Sequence, residues 1–267
     1  MSMIRRAVVS GRFYPAQASE LEEFIRTSVP AAVESAPAKA VILPHAGYLY
    51  SGKVAVETVA SVLPKDKLLI LGPNHTGRGA AFAVFSHGAW KTPLGEVAID
   101  SLTAEKLINK GILEEDTAAH SAEHSIEVQL PIFQVLFNEF TFIPITCAAA
   151  DLSVYSRIAG EIREALEEKA DDFLFVASSD MTHYEPGTQA KKKDAYVLEA
   201  ILNLDIKSFL SRVKEKDVSM CGVAPVGILL EVLKTLGAQT GQLIRYTTSG
   251  EINNDHTSVV GYAGVKF

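Results

Sequence analysis

Ala40-Val41-Ile42-Leu43-Pro44-His45 and Leu68-Leu69-Ile70-Leu71-Gly72-Pro73-Asn74-His75 decide the fold. Each opens with a short, continuous apolar run and closes on a histidine. Runs apolar on every position read as strands buried on both faces, the mark of a parallel sheet. Between them, Gly52–Leu63 has helical character, so Lys39–Leu43, the helix and Lys67–Gly72 form a βαβ unit. Phe173-Leu174-Phe175-Val176-Ala177 repeats the pattern and leads through Ser178-Ser179-Asp180-Met181-Thr182 to His183. In open α/β sheets, ligands bind in the crevice outside the carboxyl ends of the strands. Three imidazoles delivered to that edge predict a metal or acid/base centre, since imidazole binds metals and moves protons near neutral pH.

Outward from these runs, Ser19-Glu20-Leu21-Glu22 is a capping box that predicts a helix to about Val29, stopped by Pro30. Ala81–Ser86 and Glu96–Ile99 read as strands around a loop carrying Trp90, and Thr103–Lys110 and Glu123–Phe137 as helices. The rest predicts a strand over Phe140–Ile145 and a long helix over Leu152–Lys169. Helices over Ala190–Leu202, Ile206–Val213 and Val223–Leu236 follow, the last ended by Gly237 as the C′ residue, then strands over Gln242–Thr248 and Ser258–Val265. No linker, repeat or low-complexity segment interrupts the pattern. A single α/β domain over residues 1–267 is expected, its mostly parallel or mixed central sheet flanked by helices.

With 48% hydrophobic residues the 267-residue chain can build a substantial core. Its net charge of −7 argues against nucleic-acid binding, which needs a basic surface. Lys191-Lys192-Lys193 reads as a solvated helix face. No apolar run approaches the roughly 18 residues of a membrane span, and the segment after Arg5-Arg6 is too short for a signal peptide. Two cysteines make no disulfide framework, so a cytoplasmic protein with reduced thiols is expected.

Cys221 precedes Gly222-Val223-Ala224-Pro225 at the expected start of a helix, where peptide N–H groups and the helix dipole favour a thiolate. Cys147 follows a strand and reads as a small apolar packing residue. His120-Ser121-Ala122-Glu123-His124 matches the inverted zinc-peptidase pattern, but His120 falls at or before the helix start, so the two histidines do not share a face. His124 is a candidate ligand or second-sphere residue, with Glu127 and Gln129 nearby. Asp180 can supply a carboxylate to a metal or orient His183. Tyr48, Tyr184 and Trp90 are candidates to line a cleft, and His87 and His256 read as exposed.

Gly11-Arg12-Phe13-Tyr14-Pro15, Pro44-His45-Ala46-Gly47-Tyr48, Gly72-Pro73-Asn74-His75, Glu123-His124-Ser125-Ile126-Glu127, Ser178–Tyr184 and Cys221-Gly222 together resemble the Memo family. Prokaryotic members are often encoded beside a radical-SAM protein, which the resemblance implies as a partner system. The family is similar in fold to the class III extradiol dioxygenases, whose nonheme iron is held by two histidines and a carboxylate. The resemblance implies that His45 and His75 match the histidine ligands, that Cys221 stands in place of the carboxylate, and that His183 matches the catalytic base, with Asp180 beside it. A thiolate is softer than a carboxylate and shifts preference toward copper(I) or zinc. Two functions are therefore expected: a metal-dependent oxidoreductase using iron or copper, with zinc as a further option, or a non-enzymatic cleft that binds a peptide or small ligand.

Overall fold

The computed structural model describes residues 3–267. The first half of the chain forms β1 (Ile4–Arg5), α1 (Ala18–Ser28), β2 (Ala40–Leu43), α2 (Lys53–Ala60), β3 (Lys67–Pro73), β4 (Phe82–Val84), β5 (Ala89–Thr92), β6 (Gly95–Ala98), α3 (Ser101–Ile108), β7 (Glu114–Glu115) and α4 (Leu130–Leu136). The second half forms β8 (Thr141–Cys147), α5 (Leu152–Leu166), β9 (Phe173–Ser178), β10 (His183–Glu185), α6 (Gly187–Leu202), α7 (Ile206–Glu215), α8 (Val223–Thr235), β11 (Gln242–Thr248), α9 (Gly250–Asn253) and β12 (Val259–Lys266).

The continuous apolar runs become the centre of the main sheet. β2, β9, β3 and β8 lie side by side in that order, all parallel. Every residue of β2 and β9 is buried, as a strand covered on both faces requires. The register sets Leu43 opposite Ser178 and Pro73 opposite Cys147, so the carboxyl ends of the four strands open on one edge. β12 joins β2 antiparallel and carries β10 and β11, while β4 pairs antiparallel with β8 and parallel with β7. The domain is thus a single α/β unit on a mixed sheet. β2 and β3, consecutive in the βαβ unit, are not neighbours, because β9 lies between them.

Several local expectations give way to tertiary contacts. α1 starts at Ala18 with Gln17 at its N-cap and no side-chain cap, so Ser19 is already inside the first turn. The first helical hydrogen bond runs from the Leu21 N–H to the Gln17 carbonyl, two residues before the serine. At the far end the expectation holds: α1 stops at Ser28 and Val29 is extended before Pro30. The helix expected over Glu123–Phe137 begins only at Leu130, after a 3₁₀ turn over Glu127–Gln129. Glu123 captures the backbone N–H groups of His124 and Ser125, and Pro131 lies in the first helical turn, so helix cannot extend backwards. Trp90 lies in a strand rather than a loop: β5 pairs with β1 and β6 in a separate three-stranded sheet. A π-helical turn over Tyr48–Gly52 leads into α2, a feature that often marks functional sites. Gly52 is required there, since a Cβ would come within 2.9 Å of the Phe24 and Tyr48 side chains. α8 ends as the sequence predicts, with Gly237 in the left-handed region at φ +69°.

Candidate metal centre

His45 emerges two residues after β2 and is buried. Its Nδ1 lies 2.9 Å from the hydroxyl of Ser178, the last residue of β9. That hydroxyl donates to the Ser125 carbonyl at 2.7 Å, so it accepts from His45, and the network assigns the proton to Nδ1. Nε2 is left with its lone pair, 3.2 Å from the Cys221 sulfur. Burial, with the neighbouring rings of His75 and His124, keeps His45 neutral.

His75 emerges two residues after β3 and is held from behind by Glu123. Its backbone N–H donates to Glu123 Oε2 at 2.7 Å and its Nδ1–H to Oε1 at 3.0 Å, which again leaves Nε2 free. Burial alone would raise the Glu123 carboxyl. The hydrogen bond and charge of His75, the Ser125 N–H and nearby His124 outweigh it and hold the carboxyl down at about 2. A carboxylate behind a ligating imidazole fixes its tautomer and raises its basicity.

Cys221 lies two residues before α8. Its sulfur accepts the Asp180 N–H at 3.2 Å. Gly222 donates its N–H to Ser179 Oγ at 3.0 Å and packs so closely there that any Cβ would overlap the Ser179 side chain. Burial pushes the Cys221 thiol up, and the Asp180 carboxyl adds to this. The lowering expected from a helix start is therefore overridden by burial. One donor atom each from His45, His75 and Cys221 lie within 4.8 Å of one another.

Asp180 does not reach the imidazole of His183. Its carboxylate accepts the His45 N–H at 2.8 Å and a second from Ala46, and burial lifts it to about 6. His183 is oriented by Ser219, whose carbonyl accepts from Nδ1 at 2.9 Å and whose hydroxyl accepts the His183 N–H at 2.8 Å. Tyr184 follows in the left-handed region at φ +60° and is 79% exposed. His124 stacks on His75 with ring centroids 4.9 Å apart and stands edge-on to His45 at 5.5 Å. His75, Glu123 and His124 form a second group with ligand-type atoms within 4.8 Å. Glu123 is already the acceptor for His75, His124 and Ser125, which makes it a brace for His75.

Other candidates lie elsewhere. Tyr48 is buried and donates to the Val128 carbonyl at 2.6 Å. Trp90 is a core residue, packed under the Arg5 guanidinium at 3.9 Å and against Phe85, His120 and Phe142. Cys147 is buried, and burial pushes its thiol up. His87 and His256 are exposed. Ser219, which orients His183, carries no sequence signal, whereas Glu123 and Ser178, which orient His75 and His45, stand inside the quoted motifs with nothing in the local sequence to show these roles.

His120 is fully buried, and its Nε2 donates to the Ala83 carbonyl at 3.1 Å while Nδ1 has no partner. It turns away from the donor set, so the inverted peptidase arrangement is not formed. Burial lowers its pKa from 6.5 to about 4, and the nearby Arg5 charge acts in the same direction. Between those values the unfolded chain takes up a proton that the folded chain refuses, so stability falls as pH drops through that window. The full cost, roughly 3 kcal/mol, is reached below the folded value. Denaturation midpoints from pH 7 to 4 should fall more steeply for the wild type than for His120→Gln. Parallel curves would refute this.

The Memo-like protein family matches residues 5–266. A MEMO1 family protein from Methanopyrus kandleri is 41% identical over 280 residues, covering 99% of this chain and 99% of the relative. Another from Aquifex aeolicus is 37% identical over 266 residues, with the same two coverages of 99%. Among solved structures, an uncharacterized protein from Escherichia coli K12 is similar in fold, with a TM-score of 0.53 at 14% identity over 85% of this chain and 98% of that one. The family match and the relatives both span nearly the whole sequence, and the chain belongs to the Memo-like protein family.

Proposed function

We propose that the chain binds one transition-metal ion, iron or copper with zinc as a third option, through His45 Nε2, His75 Nε2 and Cys221 Sγ. The observation that carries this reading is the convergence of these donors within 4.8 Å, with each imidazole held from behind through Nδ1. Two imidazole nitrogens and a sulfur suit such ions and do not suit calcium or magnesium, which take oxygen ligands. Three protein ligands leave a position for water or substrate. The His75 side chain, 34% exposed, gives that position a route to solvent.

The ion would supply Lewis acidity and, if iron or copper, electron transfer. The chain's own residues supply the rest. Ser178 and Glu123 fix the two imidazoles. Asp180 pins the backbone that carries His45. His183, with its Nδ1–H committed to Ser219, offers Nε2 to take or return a proton. This arrangement fits an oxidoreductase acting on a small organic ligand. The competing reading is a recognition cleft for a peptide or small ligand; the projecting Tyr184 beside His183 favours it.

X-ray absorption on protein loaded with copper(I) or iron(II) under reducing conditions tests the donor set. The expected first shell contains one sulfur at about 2.3 Å and two imidazole nitrogens at about 2.0–2.1 Å, taking structural-metal distances as a guide. The sulfur should vanish in Cys221→Ser. A shell without sulfur in the wild type would refute the assignment.

A further inference from the structure

Gln129 closes the 3₁₀ turn before α4, is fully buried, and is not one of the donors. Its side-chain nitrogen spends both of its hydrogens on the residues that carry and orient His45. One goes to the carbonyl of Pro44, the residue before the histidine, at 2.9 Å, and the other to the Ser178 hydroxyl oxygen at 3.0 Å. Pro44 settles the orientation of the amide: a carbonyl only accepts, so the nitrogen and not the oxygen must face it. Gln129 thus ties the end of β2 to the end of β9, where Leu43 and Ser178 are in register. The other half of the amide is unmet, because Oε1 is buried and finds no donor among the described residues. A buried oxygen without a partner is costly, and a methionine would fill similar space without one. Packing alone therefore does not call for glutamine here; its two N–H donors do.

Those donors complete the Ser178 hydroxyl, a group with one proton and two lone pairs. The proton goes to the Ser125 carbonyl at 2.7 Å, and the Gln129 amide occupies one lone pair. What is left to face His45 Nδ1, 2.9 Å away, is the second lone pair, which accepts an N–H and has no proton to give. Without the amide, the Pro44 carbonyl loses its donor and the hydroxyl is released from one of its three partners. It can then swing its proton onto Nδ1. The imidazole answers by moving its own proton to Nε2, and a protonated Nε2 is no longer a ligand.

We propose that Gln129 is a positioning residue of the metal centre: its amide fixes the Ser178 oxygen so that His45 presents an unprotonated Nε2. This rests on the His45–His75–Cys221 reading and adds to it the group that sets the tautomer of the buried ligand. Partners behind a ligating imidazole act in this way on metal affinity without touching the ion.

Two readouts on the full-length chain test this. Long-range proton–nitrogen correlation spectra of the metal-free protein show which ring nitrogen of His45 carries the proton. Competition against a chromophoric chelator gives the affinity for zinc(II), chosen because it is redox-inert. The wild type should show Nδ1 protonated. Gln129→Met should show a mixture of the two tautomers and bind zinc(II) about 10–100-fold more weakly. Gln129→Asn, whose amide ends one methylene short, should do the same and serves if the methionine variant does not fold. In a Ser178→Ala background, Gln129→Met should weaken zinc(II) by less than about twofold more, because the group it acts through is gone. A wild type with the proton on Nε2, an unchanged tautomer in the Gln129 variants, or an undiminished effect of Gln129→Met in the Ser178→Ala background overturns the proposal. A wild type whose Nδ1–H tautomer is lost in Gln129→Met, but which takes up no metal, overturns the metal centre and leaves the control of the tautomer by Gln129 standing.

Discussion

Glu127→Ala should destabilise the fold by about 3–5 kcal/mol. The Glu127 carboxylate is buried and pairs with the equally buried Arg5 guanidinium at 2.7 Å. It also accepts from Val8 N–H, Val9 N–H and the Tyr14 hydroxyl. Truncation leaves a buried cation with only the carbonyls of His120 and Glu123 as partners, and strands two backbone donors and a phenol. Breaking one side of a buried pair costs far more than an exposed pair contributes, because the remaining charge is left desolvated. The effect should reach the site as well, since the same carboxylate seats the turn that lays Phe13 against His124. Chemical denaturation measures the loss. A shift below about 1 kcal/mol would mean that the N-terminal turn is not anchored as described.

The second large effect concerns metal. His75→Ala should reduce bound metal from stoichiometric to background. Only His45 and Cys221 would remain, and two ligands do not hold a transition metal against a competing chelator as three do. The cavity left by the ring would also free Glu123, whose carboxyl is held down at about 2, against the cost of its burial, largely through contacts with His75. Glu123→Gln should be milder, lowering metal affinity by about 10–100-fold, because the donor atom survives and only its orientation and basicity are lost.

Much of this site was legible from residue order alone. A run such as Val41-Ile42-Leu43, apolar at every position, short and largely β-branched, reads as a strand covered on both faces, and whatever follows such a strand lands on the carboxyl edge. That reasoning placed His45, His75 and the segment to His183 without knowledge of strand order. The same local reading could not foresee that β9 would insert between β2 and β3, because crossover length does not specify how many positions are skipped. Nor could it pair Ser178, Glu123 and Ser219 with the histidines they orient, which lie 133, 48 and 36 residues away in sequence. Where local signals misled, a distant contact overrode them. Trp90, read as a candidate to line a cleft, is instead a core residue beneath the Arg5 guanidinium, and Ser19, read as a cap, lies inside the first turn of α1. The Cys221 thiol is the sharpest case: position at a helix start favours ionisation, but burial beside Asp180 opposes it more strongly.

The central claim is that His45, His75 and Cys221 form one metal site. Elemental analysis of wild type and His75→Ala, purified side by side without chelators or affinity-tag nickel and reconstituted under reducing conditions, tests it most directly. One iron, copper or zinc per chain in the wild type and none in the variant is the predicted result. A wild type that takes up no metal, or a variant that retains it in full, would contradict the account.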